Sequence, residues 1–84
     1  MRLVMKEQTL EIRDEFIKLG QAMKLAGLVS SGIDAKMLIQ DGEVKVDGEV
    51  DTRRGRKMYD GMTFEWNGNL VRISSPFKQK GHEE

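Results

Sequence analysis

"SSGIDAKMLIQDGEVKVDGEV", residues 30–50, changes its hydrophobic period part-way along. Ala35, Leu38 and Ile39 recur at i, i+3 and i+4, the spacing that gathers side chains on one face of a helix. Ser31, followed three residues later by Asp34, is a capping-box-like start, and Gly42 is a stop. Beyond that glycine the period becomes two. Val44, Val46 and Val50 alternate with polar residues around Asp47-Gly48, a strong signal for a two-residue hairpin turn. The alternation predicts those valines inward. It places Glu43, Glu49 and Asp51 outward with Lys45, an acidic outer face.

The N-terminal flank supplies a partner for this helix. Phe16, Leu19, Ala22, Met23 and Ala26 form one apolar stripe, predicting a helix from a cap at Asp14 to a terminator at Gly27. Gln21 and Lys24 lie on its far side, with Lys18 at the margin. Gly20 within the stripe costs ~1 kcal/mol of helix propensity. It marks either a close packing contact or a ligand's approach. Earlier still, Leu10 and Ile12 in "TLEIRDE" predict a short half-buried strand.

On the C-terminal side, "YDGMTFEWNGNLVRIS", residues 59–74, predicts a second hairpin about Asn67-Gly68. Counting back from that turn pairs Phe64 with Val71 and Met62 with Ile73, so one face is wholly apolar. The expected fold class is α+β: two short helices, joined as in a helix-turn-helix, packed on a small antiparallel sheet. Residues 1–75 form a single domain on this reading, and 76–84, "PFKQKGHEE", a loose tail.

Composition narrows the chemistry. The chain has 84 residues, 38% hydrophobic and 33% charged, a balance that fits one globular domain rather than a disordered chain. Without cysteine there is neither a disulfide framework nor a thiolate metal site. No apolar run approaches a membrane span, and the N-terminus lacks a secretion signal, so the cytoplasm is the expected location. His82, the sole histidine, lies in the tail without companions for metal binding. The serines at 30, 31, 74 and 75 have no histidine to activate them, and the glycines form no phosphate-binding fingerprint. No enzyme, metal or cofactor is expected.

Charge is segregated, although fourteen bases balance fourteen acids. Residues 41–51 carry five acids and one lysine; then "TRRGRK", residues 52–57, gathers Arg53, Arg54, Arg56 and Lys57 without an acid among them. Arginine forks match phosphates bidentately, and Gly55 lets backbone approach a ligand. Phe64 reads as core, whereas Tyr59 and Trp66 could stack on bases.

The stretch "KLGQAMKLAGLVSSGIDAKMLIQDGEVKVDGEV", residues 18–50, resembles the RNA-binding domain named after ribosomal protein S4. Lys18-Leu19 is similar to the family's opening pair, Asp34-Ala35-Lys36 with Leu38-Ile39 to its second helix, and Gly42 to Gly48 to its hairpin. The likeness covers about residues 18–66. The short N-terminal strand and the basic loop resemble more narrowly the stand-alone bacterial proteins of the YaaA and YbcJ type. The resemblance implies an S4-like αL motif and a ribosome-associated or assembly factor that binds structured RNA, with ribosomal RNA or a ribosomal subunit as partner. The residues expected to contact RNA are Lys18, Lys24, Ser31, Lys36, Arg53, Arg54, Arg56 and Lys57, in a monomer. Many family members carry arginine where this chain has Gly32, and a base where it has Gln40, which shifts the burden to Lys36 and the loop. Two rival readings stay open: a helix-turn-helix DNA binder, for which Asp34, Lys36 and Gln40 are poor base readers, and a protein adaptor using the acidic hairpin face.

Overall fold

The computed structural model describes residues 5–77. Its elements, in chain order, are β1 (Lys6–Glu11), β2 (Phe16–Lys18), α1 (Leu19–Leu25), α2 (Gly32–Gln40), β3 (Lys45–Val46), β4 (Glu49–Val50), β5 (Lys57–Tyr59), β6 (Thr63–Trp66) and β7 (Asn69–Ser74). Five strands form one sheet in the order β1-β7-β6-β3-β4, and β2 pairs with β5 in a separate antiparallel ribbon. This is the expected α+β architecture. The main sheet is mixed, however: β1 runs parallel to β7, with Leu10 opposite Ile73. The alternation at Leu10 and Ile12 marks a strand but carries no information about its partner's direction.

One apolar cluster holds the elements together. Leu19, Ala22 and Met23 from α1, Ala35 and Ile39 from α2, and Val46, Phe64, Val71 and Ile73 from the sheet are all buried. Leu10, Val44 and Met58 complete it, and Leu38 packs at its margin. The second helix begins as its spacing requires, the Ser31 hydroxyl accepting the Asp34 N–H at 3.1 Å. It ends at Gly42, whose φ of 82° is left-handed. That conformation lets the N–H groups of Gly42 and Glu43 close on the carbonyls of Ile39 and Leu38, a Schellman motif. The first helix ends the same way at Gly27.

Three expectations are corrected. The first helix starts at Leu19, not Asp14, because Phe16–Lys18 is drawn off as β2 to pair with Lys57–Tyr59. A three-residue pairing of this kind is invisible to helical periodicity. Val50 is exposed rather than inward. A two-residue turn sets Val46 opposite Glu49 and Lys45 opposite Val50, so Val50 shares the face of Lys45. Asp51, expected outward, is buried at 8% exposure.

Both hairpin turns are as predicted. Asp47 and Gly48 have φ of 49° and 90°, and the Asn67-Gly68 turn seats Phe64 opposite Val71. The Asp47 carboxylate also accepts the Thr63 N–H at 3.0 Å and the Thr63 hydroxyl at 3.2 Å, tying the turn to β6. Gly48→Val forces a β-branched residue into left-handed backbone and should cost ~1–2 kcal/mol. Chemical denaturation reads this directly; an unchanged midpoint would exclude a strained position at Gly48.

Candidate nucleic-acid interface

The loop between β4 and β5 is organised by the acid at its entrance. Asp51 Oδ1 accepts the Arg53 backbone N–H and Nε, both at 3.0 Å. Oδ2 accepts Arg53 Nη2 at 2.8 Å and Arg56 Nη1 at 3.0 Å. The Arg53 side-chain hydrogen bonds hold the Asp51 carboxyl down at about 2, against the opposing effect of burial; the Arg53 N–H and the charges of both arginines add to the lowering. Asp51 in turn raises Arg53 above its ordinary value. Two of the four loop cations are thus oriented by an internal carboxylate. Each keeps guanidinium N–H donors beyond those that Asp51 engages, because the group carries five.

The same loop starts the first helix. Lys18, at the N-cap, offers no side-chain cap. Instead the Leu19 N–H donates to the Arg56 carbonyl at 2.9 Å and the Gly20 N–H to the Arg54 carbonyl at 3.0 Å. Loop carbonyls therefore satisfy N–H groups that a helix start leaves orphaned. They also fix residues 54–56 against α1. A Cβ at Gly20 would stand 3.6 Å from the Arg54 carbonyl oxygen and 3.9 Å from the Ala35 Cβ, in ordinary contact. Gly20 accordingly marks a junction where the loop and both helices pack together.

Around that junction lies a basic groove. Lys18, Lys24 and Arg54 line it with Gln21, and Gly20, Gly32 and Gly55 contribute the rest of its wall. All three cations are exposed, and among the described residues none has an acidic partner. Lys18, Gln21 and Lys24 stand at intervals of three, on one side of α1. Across the loop a second depression is lined by Arg53, Arg56, Lys57, Tyr59 and Met62, again with Gly55. The loop is a ridge between two basic hollows.

The expected site residues fall into groups. Lys18, Lys24 and Arg54 meet at the first hollow, and Arg53, Arg56 and Lys57 at the second. Lys36 is exposed on α2, one helical turn beyond Gly32 and on the same side. Ser31 is half-buried, with its hydroxyl engaged in capping. Sequence reasoning missed Asp51 as an organiser, although an Asp two residues before an arginine has the spacing of an Asx-turn. The anticipated acidic face is interrupted. Asp51 turns to the arginines, and Glu43 Oε1 accepts from Trp66 Nε1 at 3.3 Å. Among the described residues no cluster of histidine or acids could hold a metal ion, and no helix is long and apolar enough to cross a membrane. His82 lies outside the described residues.

Comparison with known proteins places this architecture. A family model described as "S4 domain" matches residues 10–74, from β1 to the end of β7. The chain belongs to the S4 domain family. This is a family of binding domains rather than of enzymes. A Bacillus subtilis protein named for ribosome maturation, RlbA, is 46% identical over 59 residues, covering 70% of this chain and 83% of the relative. YbcJ of Escherichia coli K12, named for RNA binding, is 40% identical over 57 residues, covering 68% and 81%. The solution structure of Escherichia coli YbcJ, described as revealing an αL motif involved in RNA binding, superposes with a TM-score of 0.60 at 36% identity. It spans 83% of this chain and 87% of the YbcJ chain.

Proposed function

We propose that this S4 domain is a cytoplasmic, monomeric binder of structured RNA, acting on ribosomal RNA during ribosome assembly, with the two hollows beside the 52–57 loop as its phosphate-binding surface. The observation that carries the reading is the convergence of Lys18, Lys24 and Arg54 on one groove without acidic partners. In a chain of zero net charge, six of whose cations are spread over two adjoining hollows, affinity comes from a local field rather than from a general attraction to polyanions. Guanidinium and ammonium groups reach phosphates, and few side chains are placed to read base edges, so the RNA is selected by shape and by converging backbones. The names of RlbA and YbcJ support the ribosomal context and the RNA.

The helix-turn-helix alternative gains no support from α2. Its Asp34 carboxylate accepts from the Ser30 hydroxyl at 3.3 Å, and Lys36 is its single cation. A helix of that character would meet the major groove with little to hold phosphate or read bases.

Crosslinking the tagged protein in growing cells, then separating ribosomal particles, tests the assignment. Crosslinks concentrated in ribosomal RNA of precursor particles are expected; crosslinks spread over messenger RNAs would sink the ribosomal role.

Gly32 provides a gain-of-function test. A Cβ there meets nothing within 4 Å, so a side chain at this helix start projects into open space beside the groove. Gly32→Arg should add one phosphate contact and steepen the slope of log affinity against log salt by ~0.7–0.9. Titration at several salt concentrations checks it. An unchanged slope would place the bound phosphates away from this wall of the groove.

A further inference from the structure

The β2–β5 ribbon exposes a second kind of chemistry. Its register sets Phe16 opposite Tyr59, Ile17 opposite Met58 and Lys18 opposite Lys57. Met58 is fully buried and Ile17 packs against the core, so the four other side chains share the outer face. Two aromatic rings thus lie side by side at one end of a short ribbon and two lysines at the other. The rings are 5.7 Å apart and tilted by 54°, and both residues are only half-buried. Lys57 Nζ stands 4.8 Å from the centroid of Phe16, a cation–π contact that occupies one face of that ring. Tyr59 lies beside Arg53, Arg56 and Lys57 along the second hollow.

We infer that Tyr59, backed by Phe16, is a stacking platform for one unpaired RNA base whose flanking phosphates meet Lys57 and the arginines of the loop. This rests on the phosphate-binding reading above and narrows its ligand from structured RNA to structured RNA with an extruded nucleotide. Every base offers a flat face to an aromatic ring, whereas a base within a duplex is already stacked on both sides. The arrangement is selective within the protein. Trp66, a ring elsewhere on the surface, is half-buried beside Asp34 and Asp41 and hydrogen-bonded to Glu43, neighbours that repel phosphate. The ribbon, by contrast, sets its aromatic faces beside three cations of the second hollow.

Two RNA hairpins of one sequence decide the matter, one fully paired and one carrying a single bulged 2-aminopurine. The wild-type protein is expected to bind the bulged hairpin about tenfold more tightly and to quench the 2-aminopurine fluorescence by stacking. Tyr59→Phe, which keeps a ring, should retain the preference; Tyr59→Leu, which keeps bulk without a ring, should abolish it. Replacing the bulged base by an abasic site should abolish it too, without any change to the protein. Equal, salt-dependent binding of both hairpins by the wild type overturns the platform and leaves the phosphate surface standing. A bulge preference that survives Tyr59→Leu or the abasic site also overturns it. Failure of the wild type to bind either hairpin at low salt overturns both readings.

Discussion

Alanine at Lys18, Lys24, Arg54 and Lys57 together should flatten the dependence of log RNA affinity on log salt by ~2–3, most of four phosphate contacts at ~0.7–0.9 each. At about 0.1 M salt this corresponds to a loss of roughly a hundredfold in affinity. The fold should survive, because all four side chains are exposed. Lys57 alone has a packing role, over the Phe16 ring, worth ~0.5–1 kcal/mol at an exposed site. These four are preferred to the loop cluster as a whole because of Asp51. Removing Arg53 and Arg56 would release a buried carboxylate as well as removing positive charge, so its outcome would mix folding with binding. The loss should be similar for different sequences of one RNA shape, since phosphate contacts carry little sequence information. Titrations on the wild type and the quadruple variant, with circular dichroism to verify folding, are the measurement. A folded variant with unchanged slope would remove the groove from RNA binding.

Much of this fold could be read from local signals. The helix face of Ala35 and Ile39, the Ser31 cap and the two I′-type turns are short-range features, and the structure contains them all. What escaped reading depends on long-range pairing. Phe16 belongs by spacing to the stripe of the first helix, yet its backbone lies opposite Tyr59, forty-three positions away. Likewise Leu10 signals a strand, while its parallel alignment with Ile73 is set by the tertiary fold. The candidate site divides along the same line. Its cations were legible as types and as a cluster, because charge runs are visible in one dimension. Which of them meet was not: Lys24 and Arg54 share a groove only because loop carbonyls cap α1 and carry residue 54 to the helix start. Val50 and Asp51 show how parity fails near a strand end. Alternation counted from Val46 continues through the turn only if the register permits, and a two-residue turn reverses the assignment.

Asp51→Ala should cost ~2–3 kcal/mol at neutral pH, the scale of lost hydrogen bonds to charged groups. The carboxylate accepts from two guanidinium groups and from the Arg53 N–H, so its removal deprives the loop of its organising centre. The arginines themselves return to water, which keeps the cost below that of a fully buried pair. A pH dependence follows from the carboxyl being held at about 2, below its ordinary 3.8. A lowered folded-state value means that the stabilisation is complete above about pH 4 and disappears as pH falls towards 2. Acid unfolding of Asp51→Asn should therefore show a shallower loss of stability across that window than the wild type, by ~1–2 kcal/mol with allowance for the exposed Arg53 side. The amide can still accept the Arg53 N–H but has no charge to gain or lose. RNA binding separates charge from geometry. Either variant raises the net charge of the loop by one, and counting charges alone predicts tighter binding. If Asp51 matters because it aims Arg53 and Arg56 at phosphates, affinity should instead fall severalfold in the folded protein, with a flatter salt slope as those contacts are lost. Tighter binding by Asp51→Asn would mean that the arginines act as a diffuse cloud of charge and that the carboxylate serves folding alone.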